Sequence, residues 1–461
     1  MSLSPDPAPM PNPAGDPRAW RAPSIAGAIT AAITFICAQM AWLGGDLPGA
    51  LLRAETFRQG NYVRVPNWFG GFPNLTYSFL LSPIGATLGV ENMMAICAGI
   101  ATAGITVITR NTSPLRHYGA AACFGLAMVS TAAVGRATYL LGTAFAVWAM
   151  VALIYLVGES GGQHRLRTQL AVVGGALLTG LSSPVAGLFL AMAAFGLLVQ
   201  HRRWLLAGAI GAAGVGPSTL ANKYFHTSGA LPTTWATALT VAAIFLLFVV
   251  GSQTFAVRTS AALGIAACLV VGTFDTPLAY IIKRLPETVG GATASANLKK
   301  WFAIPLIAGL AGWNSIAIVV NARDRGRGER SGAAFVALNT ELRTLAPTGL
   351  VEVVPTKRHW ETWHVARSFA VARGWERQAD IDHGPFFYDD NPFDVDTYRG
   401  WLEAEHVQFV ALSDLDIDRA GLNEAALLGS GQLGDLLTME WSANGWTVWR
   451  VNSYVAETSA G

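Results

Sequence analysis

Long runs of apolar residues, separated by short polar segments, fill the first two thirds of the chain. The runs are continuous rather than alternating and are rich in Ala, Leu, Gly and Val, which predicts helices and not strands. An apolar helix of about 20 residues crosses a bilayer, where only helices or closed barrels satisfy their backbone hydrogen bonds. We therefore predict a mainly α polytopic membrane protein with about 9–11 transmembrane helices. Ten are assigned here: 24–44, 92–109, 119–134, 137–157, two within 169–200, 204–221, 234–252, 259–274 and 301–320.

Basic residues predict how these helices are oriented, since Lys and Arg prefer the cytoplasmic side of a membrane. Arg18 and Arg21 precede the first helix, and basic loops follow at 110–117, 164–167 and 201–203. The N-terminus is therefore expected in the cytoplasm and the loop 45–78 outside the plasma membrane. Residues 1–22 are rich in proline and lack an apolar run, which favours a disordered tail. Ten crossings would leave the C-terminus in the cytoplasm.

The composition changes near residue 322, where charged residues become frequent. Runs typical of strands appear at Leu350–Pro355, Val407–Leu412 and Gly445–Val451, and stretches typical of helices at 330–345 and 395–405. This alternation predicts a soluble α/β domain over 322–461, following a membrane domain over 23–321.

Composition also excludes several functions. The chain is 52% hydrophobic and 13% charged, and its net charge of +2 is not gathered on one basic face, so no nucleic-acid partner is expected. We find no phosphate-binding loop, dinucleotide fingerprint or nucleophile elbow, which argues against ATP hydrolysis and Rossmann redox chemistry. His359, His364 and His383 do not match a known zinc spacing, so no metal site is predicted from them.

The loop 45–78 holds the first candidates for chemistry. Asp46 follows the first apolar run and suits a general base or a ligand of a divalent cation, which is the one cofactor that the sequence leaves open. A helix-end residue or a partner for an arginine is the alternative. Glu55 lies nine residues further on. Arg53 and Arg58 are candidate ligands of a phosphate in the same loop.

Arg136 is a third candidate phosphate ligand, because it is the only charged residue between Arg116 and Glu159 and sits at a turn between two helices. A guanidinium group donates two parallel hydrogen bonds to a phosphate. Its alternative role is to reach the membrane interface from the end of a helix.

Aromatic residues supply the candidates for sugar or acceptor binding. Trp68 and Tyr77 in the loop either stack on a sugar or anchor the loop among lipid headgroups. The segment 357–389 concentrates Trp, His, Arg and acidic residues in a pattern typical of a carbohydrate- or phosphate-binding surface. Alternatively it is a solvated helix face whose tryptophans cover a core. The candidates here are His359, Trp360, Trp363 and Arg377.

Several of these segments together resemble a known family. GGDLPGALLRAETFRQG, WFGGFPNLTYSFLLSP, VGRATYLLG, SSPVAGLFLA and HWETWHVARSFAVARGWERQADI resemble a family of actinobacterial multi-pass membrane proteins, over residues 40–455. That family is distantly similar to the GT-C superfamily of membrane glycosyltransferases, which use polyprenyl-phosphate sugars. The resemblance implies an active site outside the membrane, with Asp46 as base, Glu55 as a second acid and Arg136 at the donor phosphate. It also implies a C-terminal domain outside, in conflict with ten crossings. Many GT-C enzymes have two adjacent acids in this loop, whereas Asp46 stands alone.

The leading hypothesis is therefore a glycosyltransferase of the cell envelope. It would move a sugar from a polyprenyl-phosphate donor in the bilayer to a glycan or glycolipid acceptor, with Asp46 as general base. One alternative is a transporter or flippase of an envelope lipid, which would have ionisable residues at mid-membrane depth. The other is a non-catalytic scaffold that presents the soluble domain. The enzyme hypothesis predicts that Asp46, Glu55 and Arg136 converge on one outward cavity.

Overall fold

The computed structural model describes residues 17–40, 44–158, 165–225, 233–274, 276, 281–321, 328–388 and 393–454. The chain forms a bundle of apolar helices followed by a smaller domain with a β-sheet, so the mainly helical fold is confirmed. Six helices of the described part are long and apolar enough to cross a membrane. They begin at Arg18, Val90, Ala137, Trp204, Phe255 and Lys300.

Thirteen helices precede the C-terminal domain in the described residues. Two of them, α2 and α3, belong to the loop that follows α1. The helices are α1 (Arg21–Gln39), α2 (Leu47–Arg58), α3 (Leu81–Leu88), α4 (Val90–Thr109), α5 (Pro114–Ala133), α6 (Ala137–Gly158), α7 (Arg165–Ser182), α8 (Pro184–Gln200), α9 (Trp204–Phe225), α10 (Trp235–Gly251), α11 (Phe255–Thr273), α12 (Gly291–Asn297) and α13 (Lys300–Asn321).

Hydrogen bonds between chain turns show which helix ends lie together. The backbone N–H of Asp46, after α1, donates to Val134 O at the end of α5, and the N–H of Phe79 donates to Leu181 O near the end of α7. We call this the Asp46 end of the bundle. At the opposite end, the Ser295 hydroxyl donates to Arg116 O at the start of α5.

The segment 281–297 runs from the Asp46 end to the opposite end and is not among the ten helices predicted from the sequence. It contains a π-helix, Pro286–Gly290, followed directly by α12. Its start lies near Asp46 and its end near Arg116, and α13 then returns. With this segment, eleven segments of the described chain run between the two ends.

The loop after α1 is ordered over residues 44–80. Pro48 occupies the first turn of α2, where a missing N–H costs nothing. A two-residue ladder joins β1 (Arg64–Val65) to β2 (Phe72–Pro73), and α3 follows.

The C-terminal domain contains a four-stranded sheet in the order β3-β4-β6-β5. The predicted strands are observed as β3 (Leu350–Val353), β4 (Val407–Ser413) and β6 (Trp446–Val451), while β5 (Leu437–Ala443) was not predicted. Helices pack around the sheet, as the α/β prediction requires. They are α14 (Val336–Leu345), α15 (Glu361–His364), α16 (Arg377–His383), α17 (Val395–Ala404) and α18 (Leu422–Gly429).

The loop after α1 pairs with this domain through backbone hydrogen bonds. Val371 forms a parallel bridge with Val351 of β3, and a second parallel bridge with Trp68 of the loop. The Phe69 N–H donates to Val371 O at 3.2 Å, and the Val371 N–H donates to Asn67 O at 2.9 Å. The loop is thereby joined to β3 through single-residue bridges on either side of Val371.

One hydrophobic core runs through the bundle, the loop and the C-terminal domain, and includes Phe124, Trp68 and Phe409. The domain therefore sits at the Asp46 end of the bundle. Of the tail predicted over 1–22, residues 1–16 lie outside the described part. Its last residues differ from the prediction, because Pro17–Trp20 form a 3₁₀ turn that leads into α1.

Candidate functional site at the junction of bundle and domain

Asp46 is fixed at the start of α2 by close backbone packing. Its N–H donates to Val134 O at 3.2 Å. Gly135 has a φ of +89°, and a Cβ at this position would lie 2.4 Å from the Leu47 nitrogen. Only glycine fits this turn, because other residues would meet both a left-handed backbone and a steric clash. The turn between α5 and α6 thus packs directly against the start of α2 and holds the backbone of Asp46 in place.

Two arginines from different parts of the bundle approach the same oxygen of Asp46. Arg136 Nε and Arg284 Nη2 each lie 3.9 Å from Asp46 Oδ2. These distances are too long for hydrogen bonds, so the contacts are ion pairs. The Asp46 side chain is 31% exposed, and those of Arg136 and Arg284 are 17% and 16% exposed. The charges are partly shielded from water and interact more strongly than they would on an open surface.

The segment that carries Arg284 also supplies a second carboxylate. Arg136 Nη1 donates to Glu287 Oε2 at 3.3 Å, while the buried Nε of Arg136 has no hydrogen-bond partner in the described chain. Glu287 lies in the π-helix, and its backbone carbonyl accepts from Asn314 Nδ2 at 3.2 Å. π-Helical turns are rare and occur frequently at functional sites.

Tyrosines flank Arg284 on two sides. The Arg284 guanidinium lies 6.0 Å from the ring centre of Tyr139, and Tyr77 is a hydrogen-bond partner of Arg284. The Tyr139 hydroxyl in turn donates to Thr288 Oγ1 at 3.1 Å. The cationic pair is thus held by neighbours from the loop, from α6 and from the segment 281–297.

The C-terminal domain completes the site along α2. A Cβ at Gly45 would lie 3.8 Å from His359 Cδ2, and one at Gly49 would lie 3.0 Å from Trp375 Cδ1. The next residue, Glu376, forms a buried ion pair with Arg53 of α2. Burial raises the pKa of Glu376, Arg53 lowers it, and the charge of Asp46 raises it.

His359 is the most constrained of these residues. Its ring stacks on Trp375 with 3.7 Å between ring centres, and its backbone has a φ of +57°. Nδ1 lies 3.4 Å from Glu361 Oε1, and Nε2 lies 3.5 Å from Asp418 Oδ2. Burial alone would lower the pKa of His359, but the two carboxylates raise it above its usual value. His359, Trp375 and Asp418 line a cavity of about 20 Å³, which holds roughly one water.

The predicted pairing of the two acidic residues of the loop is not observed. Glu55 pairs with Arg58 at 2.9 Å, and Arg58 also donates to the carbonyl of Ala86 in α3. Nine residues of helix separate the backbones of Asp46 and Glu55 by about 13 Å. Asp46 and Arg136 therefore lie within 3.9 Å of each other, whereas Glu55 and Arg58 lie elsewhere on α2.

Arg53 and Trp68 occupy positions that differ from their predicted roles. The Arg53 side chain is only 6% exposed, pairs with Glu376 and lies 5.7 Å from the Trp68 ring centre. Trp68 is fully buried and packs against Gly374. In this structure Trp68 offers no ring face to a sugar, and Arg53 joins the loop to the domain. Tyr77, in contrast, lies at the site.

The candidates of segment 357–389 divide in a similar way. Trp360 is buried in the shared core, and Trp363 is covered by Arg367, whose guanidinium lies 4.6 Å from the ring centre. His359 lines the cavity, as does Arg377, which pairs with Asp418 at 3.3 Å. The alternative of a face whose tryptophans cover a core therefore describes Trp360, while His359 lies beside the loop.

Sequence reasoning missed four residues of the site: Arg284, Glu287, Trp375 and Glu376. Arg284 and Glu287 are visible in the sequence as charges ahead of the last apolar run, and Trp375 and Glu376 fall within the segment 357–389. The available signal for Arg284 and Glu287 was their position at the start of a short apolar segment. Charged residues in such segments indicate a functional site.

Comparison of the chain with known protein families gave no match, and comparison with curated proteins gave none either. The chemistry of the site therefore has to be argued from its geometry. Two arginines can hold an anion, and Asp46 can accept a proton. Within the described residues, no group of three or more His, Cys, Asp or Glu side chains is placed to hold a metal ion. Two guanidinium groups beside Asp46 also disfavour a cation there.

Proposed function

We propose that the protein is a membrane glycosyltransferase that moves a sugar from a polyprenyl-phosphate donor to a cell-envelope glycan or glycolipid. The observation that carries the proposal is the approach of Arg136 and Arg284 to Asp46 at 3.9 Å each. This arrangement places a candidate base directly beside two donors suited to a phosphate.

The charge distribution supports an extracytoplasmic site. Basic residues collect at the end of the bundle opposite to Asp46, including Arg116, Arg165 and Arg203. Because cytoplasmic loops are enriched in Lys and Arg, we propose that the opposite end faces the cytoplasm. The Asp46 site and the C-terminal domain then face outward, and a lipid-linked donor reaches the site from the outer leaflet.

In the proposed reaction, the donor phosphate takes the place of the Asp46 carboxylate beside the two arginines. Asp46 then accepts the proton of the acceptor hydroxyl as its oxygen attacks the anomeric carbon of the sugar. The bond from that carbon to the phosphate oxygen breaks on the opposite face. The negative charge that develops on the leaving phosphate is stabilised by Arg136 and Arg284. This sequence inverts the anomeric configuration.

The test compares Asp46→Asn with wild type, purified in lipid nanodiscs and supplied with radiolabelled polyprenyl-phosphate sugars and envelope acceptors. Loss of a general base typically lowers the rate about 10²–10⁴-fold, so the variant should be nearly inactive. Asp396→Asn is the matched control, because the Asp396 side chain is 87% exposed and lies in α17. Unchanged transfer by Asp46→Asn would refute the role of Asp46. If wild type transfers no sugar across the panel, the transferase proposal fails, and lipid-scrambling and pull-down assays then address the flippase and scaffold alternatives.

A further inference from the structure

We propose that Glu376 of the C-terminal domain is a positioning residue for Asp46, acting through Arg53 and helix α2. The inference rests on the proposed function for its activity assay, although its geometry does not. It makes the C-terminal domain part of the reaction site rather than an attached binding module.

The segment 374–376 lies along the first two turns of α2. Trp375 packs against Gly49, where a Cβ would lie a tight 3.0 Å from Trp375 Cδ1, and a Cβ at Gly374 would lie 2.5 Å from Trp68 Cγ. Two glycines, one on each side of the interface, thus permit close contacts between loop and domain. This packing fixes the distance between α2 and the domain, but apolar contacts alone allow a helix to slide or rotate.

The Arg53–Glu376 pair supplies the directional contact. Both side chains are mostly buried, at 6% and 16% exposure. The buried Nε of Arg53 has no hydrogen-bond partner in the described residues, so the guanidinium depends on Glu376 for its charge-assisted bond. A buried charge that loses its partner is strongly unfavourable, which opposes any shift of α2 that would separate the two groups.

Asp46 immediately precedes α2, so the position of this helix sets the position of the carboxylate. Arg53 follows Asp46 by seven residues, which is two helical turns or about 10 Å along the axis. A shift of α2 by 1 Å would change both 3.9 Å contacts of Asp46 with the arginines. Displacements of about this size can lower a rate about 10²-fold.

The charged groups around Glu376 and Asp46 determine how activity should depend on pH. Glu376 faces Arg53 and Asp46, and His359, Arg377 and Asp418 lie on the same side of the domain. Asp46 faces Arg136 and Arg284, with Glu287 and Tyr77 behind them. Removing the Glu376 charge leaves Arg53 unneutralised on α2. Both changes favour the ionised form of a neighbouring acid, so the acid limb of an activity profile should move to lower pH.

The experiment uses full-length protein in nanodiscs and three variants: Glu376→Gln, Glu376→Asp and Glu91→Gln. Glu91 pairs with Arg330 and so joins bundle and domain by a second ion pair that is not on α2. We expect Glu376→Gln to lower kcat about 10- to 100-fold with less than about a threefold change in KM for the donor. Its acid limb should fall by about one pH unit, as for a unit charge at roughly 10 Å. Glu376→Asp should restore part of kcat, and Glu91→Gln should keep the wild-type kcat and pH profile.

Two results would overturn the inference: a Glu376→Gln variant as active as Glu91→Gln, or a loss of activity without any shift of the acid limb. A second readout applies whether or not transfer is observed. Labelling of Glu376 by a carbodiimide, quantified by mass spectrometry against pH, reports its protonation. Its midpoint should fall in Asp46→Asn if the two carboxyl groups interact, and an unchanged midpoint refutes the coupling. Absence of sugar transfer by wild type would therefore refute the proposed function alone.

Discussion

Replacement of Arg373 by methionine tests whether the buried charges of the C-terminal domain depend on one cation. Arg373 Nε and Nη2 donate to the two carboxylate oxygens of Asp380 at 2.8 and 2.7 Å, and Nη1 donates to Glu424 at 3.2 Å. Glu352 lies 3.6 Å from the same nitrogen. The guanidinium also stacks on Phe387 at 3.9 Å. Methionine retains much of the apolar stem but removes the charge and every hydrogen bond.

The expected cost follows from burial. The Arg373 side chain is 3% exposed, and the three carboxylates are 0–7% exposed, so water does not replace the lost contacts. Loss of one partner of a buried ion pair costs about 3–5 kcal/mol, and Arg373 has more than one partner. We therefore expect Arg373→Met to lose at least this amount near pH 8, which lowers the unfolding temperature of the domain by about 10–15 °C. The cost should be smaller near pH 5, where protonation relieves the unpaired carboxylates.

The assay is thermal unfolding of the full-length protein in nanodiscs, followed by tryptophan fluorescence and by proteolysis of the C-terminal domain. Arg399→Met is the matched control, because Arg399 and Asp396 form an exposed pair at 43% and 87% exposure. Such a pair contributes little, so the control should change the unfolding temperature by no more than about 2 °C. If Arg373→Met unfolds within 2 °C of wild type at pH 8, the reasoning from buried charge is wrong.

Two further substitutions test the turn at Gly135, which packs against Leu47, and the titration of Glu352 in the C-terminal domain. Gly135→Ala should lower the unfolding temperature and the rate of sugar transfer, because the added Cβ would meet the Leu47 backbone. Gly60→Ala is the control, because Gly60 also has a φ of +89° but a Cβ there would meet no atom within 4 Å. It therefore separates the steric clash from the backbone strain. Equal effects of the two changes would contradict the steric argument. Burial and then Glu424 raise the pKa of Glu352 well above its usual range, so the folded wild type loses stability as pH rises through that value. Glu352→Gln lacks this titration and should gain stability relative to wild type between pH 5 and pH 8, as measured by denaturant unfolding; a constant difference would contradict the assignment.

Local sequence pattern predicted most of the elements correctly. Continuous apolar runs define the long helices, since each run carries its own hydrophobic signal. The strand β5 was missed because it is an edge strand with mostly exposed residues. A signal was nevertheless present: Asn444 and Gly445, both with positive φ, form the turn between β5 and β6, and Asn-Gly between strand-like residues predicts a hairpin.

The segment 281–297 was missed for a different reason. Lys283, Arg284 and Glu287 interrupt the hydrophobic signal at its start, and the segment is shorter than an ordinary transmembrane helix. Its charges are accommodated by partners from other segments, such as Arg136 and Asp46. Hydropathy counts each residue separately and cannot include this pairing. Leaving this segment out changes the parity of the helix count, and with it the end of the bundle at which the count places the C-terminal domain.

The site itself shows why proximity along the chain is a poor guide to chemistry here. Glu55 was predicted as a second acid from the family resemblance, yet helical rise carries it about 13 Å away from Asp46 to a pair with Arg58. Glu376 lies 323 residues beyond Arg53 and still forms a buried ion pair with it. The strand-like pairing of Asn67 and Phe69 with Val371 makes this contact possible, because it fixes the domain on the loop before any side chain is considered. The proposed site depends on both parts of the chain, so we expect Glu376→Gln in the C-terminal domain to lower sugar transfer as well, although less than Asp46→Asn in the bundle.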